Sequence, residues 1–165
     1  VLVEVNNEAN IKYDHDILKP KRVHELIQRV KAAGLLAGTS FGGGAVPTAE
    51  VIAHSDFLLI HGNGVKGPDA MRTFIAKVKQ ARGDRQIPIV VNEDDHFDFD
   101  QPDNNFTAAV KEHVSWGFFD FRMKNETFDD GYQSVPVNWG ISSERKKGFF
   151  ELMRRMVGEG SRTGR

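Results

Sequence analysis

The sequence predicts an α/β protein with a parallel sheet, and three observations carry that expectation. Strand-like and helix-like runs alternate five times, the order that parallel strands joined by right-handed crossovers require. The strand-like runs are near-continuous apolar stretches, as expected of strands covered on both faces. The chain has 165 residues, enough for one domain with a real core.

Residues 1–6 are valine-rich and read as the first strand. After a polar stretch, Pro20 opens a helix at a first-turn position where proline is tolerated. Val23, Leu26, Ile27 and Val30 give that helix an apolar stripe, and Gly34 is its expected stop. Residues 35–40 form the second strand. A Phe41-Gly42-Gly43-Gly44 loop follows, then a short helix over 49–54 with Thr48 as N-cap. Residues 57–60 form the third strand, ending in His61-Gly62-Asn63-Gly64. Pro68 opens the next helix, with Met71, Phe74, Ile75 and Val78 on one face. The fourth strand spans 87–91, an acidic loop 93–103, and a helix about 106–115. The fifth strand is placed at 117–122, before a long loop over 123–141. The last helix spans 142–157, with Ser142 or Ser143 as N-cap and Glu144 in its first turn. Residues 1–157 thus form one domain and 158–165 a disordered tail.

Composition excludes several classes. An apolar fraction of 39% and a charged fraction of 27% are ordinary for a soluble globular protein. A net charge of −1 gives no basic surface for nucleic acid or an anionic membrane. The chain has no cysteine, which excludes disulfides and thiolate metal sites. No apolar run reaches the length of a membrane span. Compartment stays open, because an upstream leader to a secreted or periplasmic destination would lie outside the sequence.

Two architectures fit the alternation. One is a complete, flavodoxin-like doubly wound sheet. The other is the C-terminal portion of a (β/α)8 barrel, five βα units without the first three. A strand that begins at residue 1 and already bears a chemically loaded tip favours the barrel portion.

That tip is the most specific feature. Glu8 follows Val5-Asn6-Asn7, and Glu93 follows Val90-Val91-Asn92. A carboxylate at the C-terminal end of a strand lies where parallel α/β sheets and barrels present their chemistry. Two carboxylates from distant strands can face one pocket, as glycoside hydrolysis needs.

These two tips resemble the fourth- and seventh-strand motifs of retaining (β/α)8 glycoside hydrolases, the cellulase- and β-galactosidase-like clan. If Glu8 ends strand four, the next two strands are five and six, Glu93 ends strand seven, and the last is strand eight. The resemblance covers residues 1–157. It implies a hydrolase of β-linked saccharides acting without a cofactor. Glu8 would be the general acid/base, Glu93 the nucleophile, and Asn7 a donor to the sugar 2-hydroxyl. The chain departs from the clan at Ala9, where proline is common, and at Asp94-Asp95-His96, where an aromatic or apolar residue is common.

Other residues on the same side are weighed against plainer roles. His61 can bond a sugar or Glu93, or simply a loop carbonyl. Arg122 and Lys124 can touch substrate or pair with Asp120. Tyr132 and Trp139 can stack on a sugar ring or pack within their loop. Trp116 precedes the predicted fifth strand, so it is assigned to core packing at the opposite end. The triple-glycine loop lacks a phosphate-binding signature and reads as a flexible connection. The acidic run 93–100 reads as a solvated loop, since its spacing fits no calcium loop, and no metal is assigned.

The expected partners are an oligosaccharide or glycoside substrate and the missing N-terminal half of the same barrel. The piece alone is expected to be inactive, and poorly soluble or dimeric, because its edge strands would lack neighbours. A flavodoxin-like ligand-binding domain, or an inactive barrel used for carbohydrate binding, remains the alternative.

Overall fold

The computed structural model describes residues 1–120, 124–125, 127 and 143–160, the last two without their side chains. It is an α/β fold in which every strand among these residues pairs in parallel. The elements run β1 (Leu2–Glu4), a 3-10 turn (Asp16–Leu18), α1 (Val23–Ala32), β2 (Leu36–Gly38), β3 (Ser40–Phe41), α2 (Ala49–His54), β4 (Leu58–His61), α3 (Pro68–Arg82), β5 (Ile89–Glu93), α4 (Asn105–Lys111), β6 (Ser115–Trp116) and α5 (Glu144–Gly160).

β1 pairs with β2, and β3, β4, β5 and β6 follow in that order. β2 and β3 are one run of chain interrupted at Thr39, so the strand order follows the sequence without a reversal. β1 has a strand on one side only among the described residues.

The register explains where the core sits. Phe41, Ile60, Val91 and Trp116 align across four strands on one face. The five α-helices among the described residues pack on that face. Val23 and Ile27 of α1 join Ala37, Phe41 and Val51 of α2. Met71, Phe74, Ile75 and Val78 of α3 meet Ile60, Val91, and Ala108 and Ala109 of α4. Phe149 and Leu152 of α5 join Phe106, with Trp116 and Phe118 alongside. The opposite row, Ser40, Leu59, Val90 and Ser115, belongs to none of these clusters. Further along the sheet, the paired Leu2 and Leu36 are 62% and 53% exposed.

Local signals account for most helix ends. Thr48 caps α2 by accepting from Val51 N, and Pro68 occupies the first turn of α3. Asn104 and Thr107 form a reciprocal capping box on α4. Ser143 Oγ accepts from Lys146 N at the start of α5, while Ser142 lies outside the described residues. Gly34 follows α1 in the left-handed region, φ +83°, where glycine carries no Cβ penalty.

Several boundaries differ from the sequence reading. Pro20 lies in a turn, and α1 begins at Val23. The second strand is broken at Thr39, and β4 and β5 each reach further, to His61 and Glu93. The fifth strand, expected at 117–122, is found at Ser115–Trp116, which align with Val90 and Val91; 117–120 carry no strand, and 121 and 122 lie outside the described residues. Phe118 instead packs in the aromatic cluster, stacked on Phe149 at 4.9 Å. α4 ends at Lys111, not near 115, and α5 continues to Gly160, three residues into the expected tail.

One surface pair has a calculable pH signature. Arg72 grips Asp103 through two hydrogen bonds, of 3.0 and 2.7 Å, and holds that carboxyl down at about 2. The folded value thus lies below the ordinary carboxylate range near 4. The stabilisation is complete above about pH 4 and is lost as pH falls towards 2. Arg72→Met is expected to flatten this part of the acid limb in urea titrations. An unchanged limb would show that the pair contributes nothing.

Candidate active site

Glu8, His61 and Glu93 converge at the C-terminal ends of the strands. His61 Nδ1 lies 3.0 Å from Glu8 Oε1 and 3.6 Å from Glu93 Oε2. Both oxygens approach one nitrogen, so their separation cannot exceed the sum of those distances. Carboxyl groups set for inversion stand about 6.5–9.5 Å apart, and those set for retention about 5–5.5 Å. The bound on these two oxygens admits the retaining spacing. Both carboxyl groups keep some contact with solvent, whereas His61 is fully buried. An ionised carboxylate only accepts, so His61 Nδ1 must be protonated when it bonds either one.

A bulge sets this meeting. Ile60 aligns with Val91, but His61 aligns with Glu93, so Asn92 is skipped. The extra residue turns Glu93 towards His61; bulges often re-aim a side chain in this way. Gly62 N then bonds Glu93 O at 2.6 Å. Asn63 Nδ2 donates to Glu93 Oε2 at 3.2 Å. The side-chain oxygens of Asn63 and Asn92 and Nε2 of His61 are buried without a protein partner. Buried polar atoms of this kind are ones that ordered water commonly satisfies.

Glu8 is held from β3 and the loop after it. Its backbone is left-handed, φ +50°, a conformation that costs a non-glycine residue about 1–3 kcal/mol. Ser40 fixes it: Ser40 Oγ accepts from Glu8 N at 2.8 Å, and Ser40 O accepts from Ala9 N at 2.9 Å. The same hydroxyl donates to Asn7 Oδ1 at 3.2 Å. Asn7 is exposed, and Tyr13 donates its hydroxyl to Asn7 O.

Asp94 departs most from the expected solvated loop. It is fully buried. Its Oδ2 accepts from Trp116 Nε1 at 2.9 Å, and its Oδ1 contacts His96 Nδ1 at 2.7 Å, His96 N at 3.1 Å and Asn105 Nδ2 at 3.3 Å. Burial pushes its carboxyl above the usual value, against the donors that favour ionisation. A Cβ on Gly62 would come within 2.7 Å of Asp94 Cγ, so the chain closes over this carboxyl. Asp94, Asp95 and His96 could offer three ligand atoms within 4.8 Å of one another. Those of Asp94 are already engaged by donors, and the arrangement is explained as a structural knot.

Trp116 lies within β6, beside Val91, rather than at the opposite end of the sheet. It does pack in the core, as expected, and its indole N–H adds the bond to Asp94. Asp120 pairs with Arg145 Nε at 2.6 Å and lies 3.4 Å from Lys146 Nζ; Lys124 is exposed. Arg122, Tyr132 and Trp139 lie outside the described residues.

The sequence reading assigned no site role to Ser40, Gly42 or Asn63, and took Asp94 for part of a solvated loop. Two carried a usable signal, since Asn63 and Gly42 occupy glycine-rich turns directly after strands. Compared with protein-family models, curated sequences and solved structures, the chain matches none.

Proposed function

We propose that this chain is the C-terminal portion of a (β/α)8 glycoside hydrolase that cleaves β-linked saccharides with retention. The observation that carries the reading is the approach of Glu8 and Glu93, 85 residues apart in sequence, to the same imidazole nitrogen. The helices on one sheet face and the unreversed strand order support a barrel portion. A flavodoxin-like sheet would reverse its order at the ligand site. The partly paired β1 and the exposed Leu2 and Leu36 suit further βα units, which would extend the sheet and cover its second face.

In the first step Glu93 attacks the anomeric carbon while Glu8 protonates the departing oxygen. The glycosidic C–O bond breaks and an ester to Glu93 forms. In the second step Glu8, now a carboxylate, takes a proton from water. That water displaces Glu93 and restores both groups. His61 and Asn63 orient the carboxylates, and no cofactor enters either step.

The test uses the protein expressed from its complete reading frame, incubated with a panel of activated 2-fluoro-glycosides. The fluorine slows both steps, and the activated leaving group restores the first, so a covalent ester accumulates. Peptide mass spectrometry is expected to find the sugar on Glu93. Binding of saccharides with neither label nor turnover would instead mark a carbohydrate-binding barrel.

A further inference from the structure

Gly42 lies against the Glu8 side chain, and the glycosidase reading does not use it. An ideal Cβ at Gly42 would lie 2.3 Å from Glu8 Oε1 and 2.6 Å from Glu8 Cδ. Gly42 is absent from the residues with positive φ, so its backbone does not demand glycine. The space does: the glutamate side chain crosses the bare Cα to reach His61.

Asn10 fixes Gly42 from the other side. Its Oδ1 accepts from Gly42 N at 2.8 Å, and its Nδ2 donates to Gly42 O at 3.3 Å. Two loops, one after β1 and one after β3, are thereby locked in register. Ser40 holds the strained Glu8 backbone on the same segment. Backbone, Cα surface and side-chain clamp all act on one carboxyl.

We propose that Gly42, clamped by Asn10, is a positioning residue that sets the Glu8 carboxyl for proton transfer to the leaving oxygen. This rests on the glycosidase reading. An added methyl cannot share the space, so the carboxyl must leave its place beside His61. Glu93 approaches from β5, and the three atoms nearest that space all belong to Glu8, so attack on the anomeric carbon should survive. A misplaced acid matters most when the leaving group is poor, because a good one departs without a proton.

The experiment compares Gly42→Ala, Asn10→Ala and Glu8→Ala in the complete protein, using aryl glycosides of graded leaving-group acidity. For Gly42→Ala, kcat/KM is expected to fall at least about 100-fold with a poor leaving group and less than about threefold with dinitrophenolate. Azide should restore turnover limited by the second step, attacking the anomeric carbon as the bond to Glu93 breaks and releasing a glycosyl azide. Glu8→Ala should show the same pattern. Asn10→Ala, altered only in an exposed side chain, should show a weaker version and keeps the test valid if Gly42→Ala fails to fold. Losses equal across leaving groups and unrelieved by azide, in whichever of the two glycine-clamp variants folds, would overturn the positioning role while leaving a wild type labelled on Glu93. A wild type with neither turnover nor label would overturn both the role and the reading beneath it.

Discussion

Glu93→Gln is expected to lower kcat by about 10⁵-fold, the scale on which covalent machinery fails when its nucleophile is removed. The loss should be the same for good and poor leaving groups, because no proton donor substitutes for the attacking oxygen. The Glu93 side chain accepts a hydrogen bond from Asn63 at one oxygen, which also lies 3.6 Å from His61 Nδ1. An isosteric amide can keep an oxygen towards Asn63, so the thermal midpoint should move by only a few degrees. Residual activity above a hundredth of wild type, in protein free of contaminating enzyme, would remove Glu93 from the nucleophile's role.

Asp94→Ala is expected to destabilise the fold by about 3 kcal/mol or more, measured by urea unfolding. The substitution orphans the Trp116 donor, removes one of the two acceptors of Asn105 Nδ2, which keeps Val65 O, and frees His96; an unsatisfied buried donor costs about 1–3 kcal/mol. Asp95→Ala, at a partly exposed neighbour, should cost well under half as much; equal losses would refute the structural knot. The pH dependence has a definite sign. Burial raises the folded-state value of Asp94, so the folded chain holds this proton more tightly than the unfolded one. Its contribution is greatest below the unfolded value near 4 and declines as pH rises through the folded value. Asp94→Ala should lack that decline.

The sheet was legible because its strands are apolar runs whose register follows the same residues that face the helices. Ile60 and Val91 read as strand from sequence, and they align in the structure. The last strand misled because Phe118 and Phe119 carry strand propensity, while Phe118 is held by ring packing onto α5. Ser115 and Trp116 have the ladder instead. Glu8, His61 and Glu93 were legible because each ends an apolar run. That Glu8 and Glu93 could face one pocket was read from those positions; that both approach the same nitrogen of His61 was not, since it depends on a skipped Asn92 that no local pattern announces. Asp94 was misread for a related reason. It stands among acidic residues that do reach solvent, and only the fold brings Trp116 and Asn105 over it. The steric demand at Gly42 is likewise set by a side chain 34 positions away.

The backbone of Glu8 has an implication for sequence drift. Glycine and asparagine occupy the left-handed region more readily than glutamate. Selection acting on thermal robustness alone would therefore pull this position away from glutamate and erase its carboxyl. A lineage retaining Glu8 resists that pull, and variants chosen for heat tolerance would tend to abandon it first.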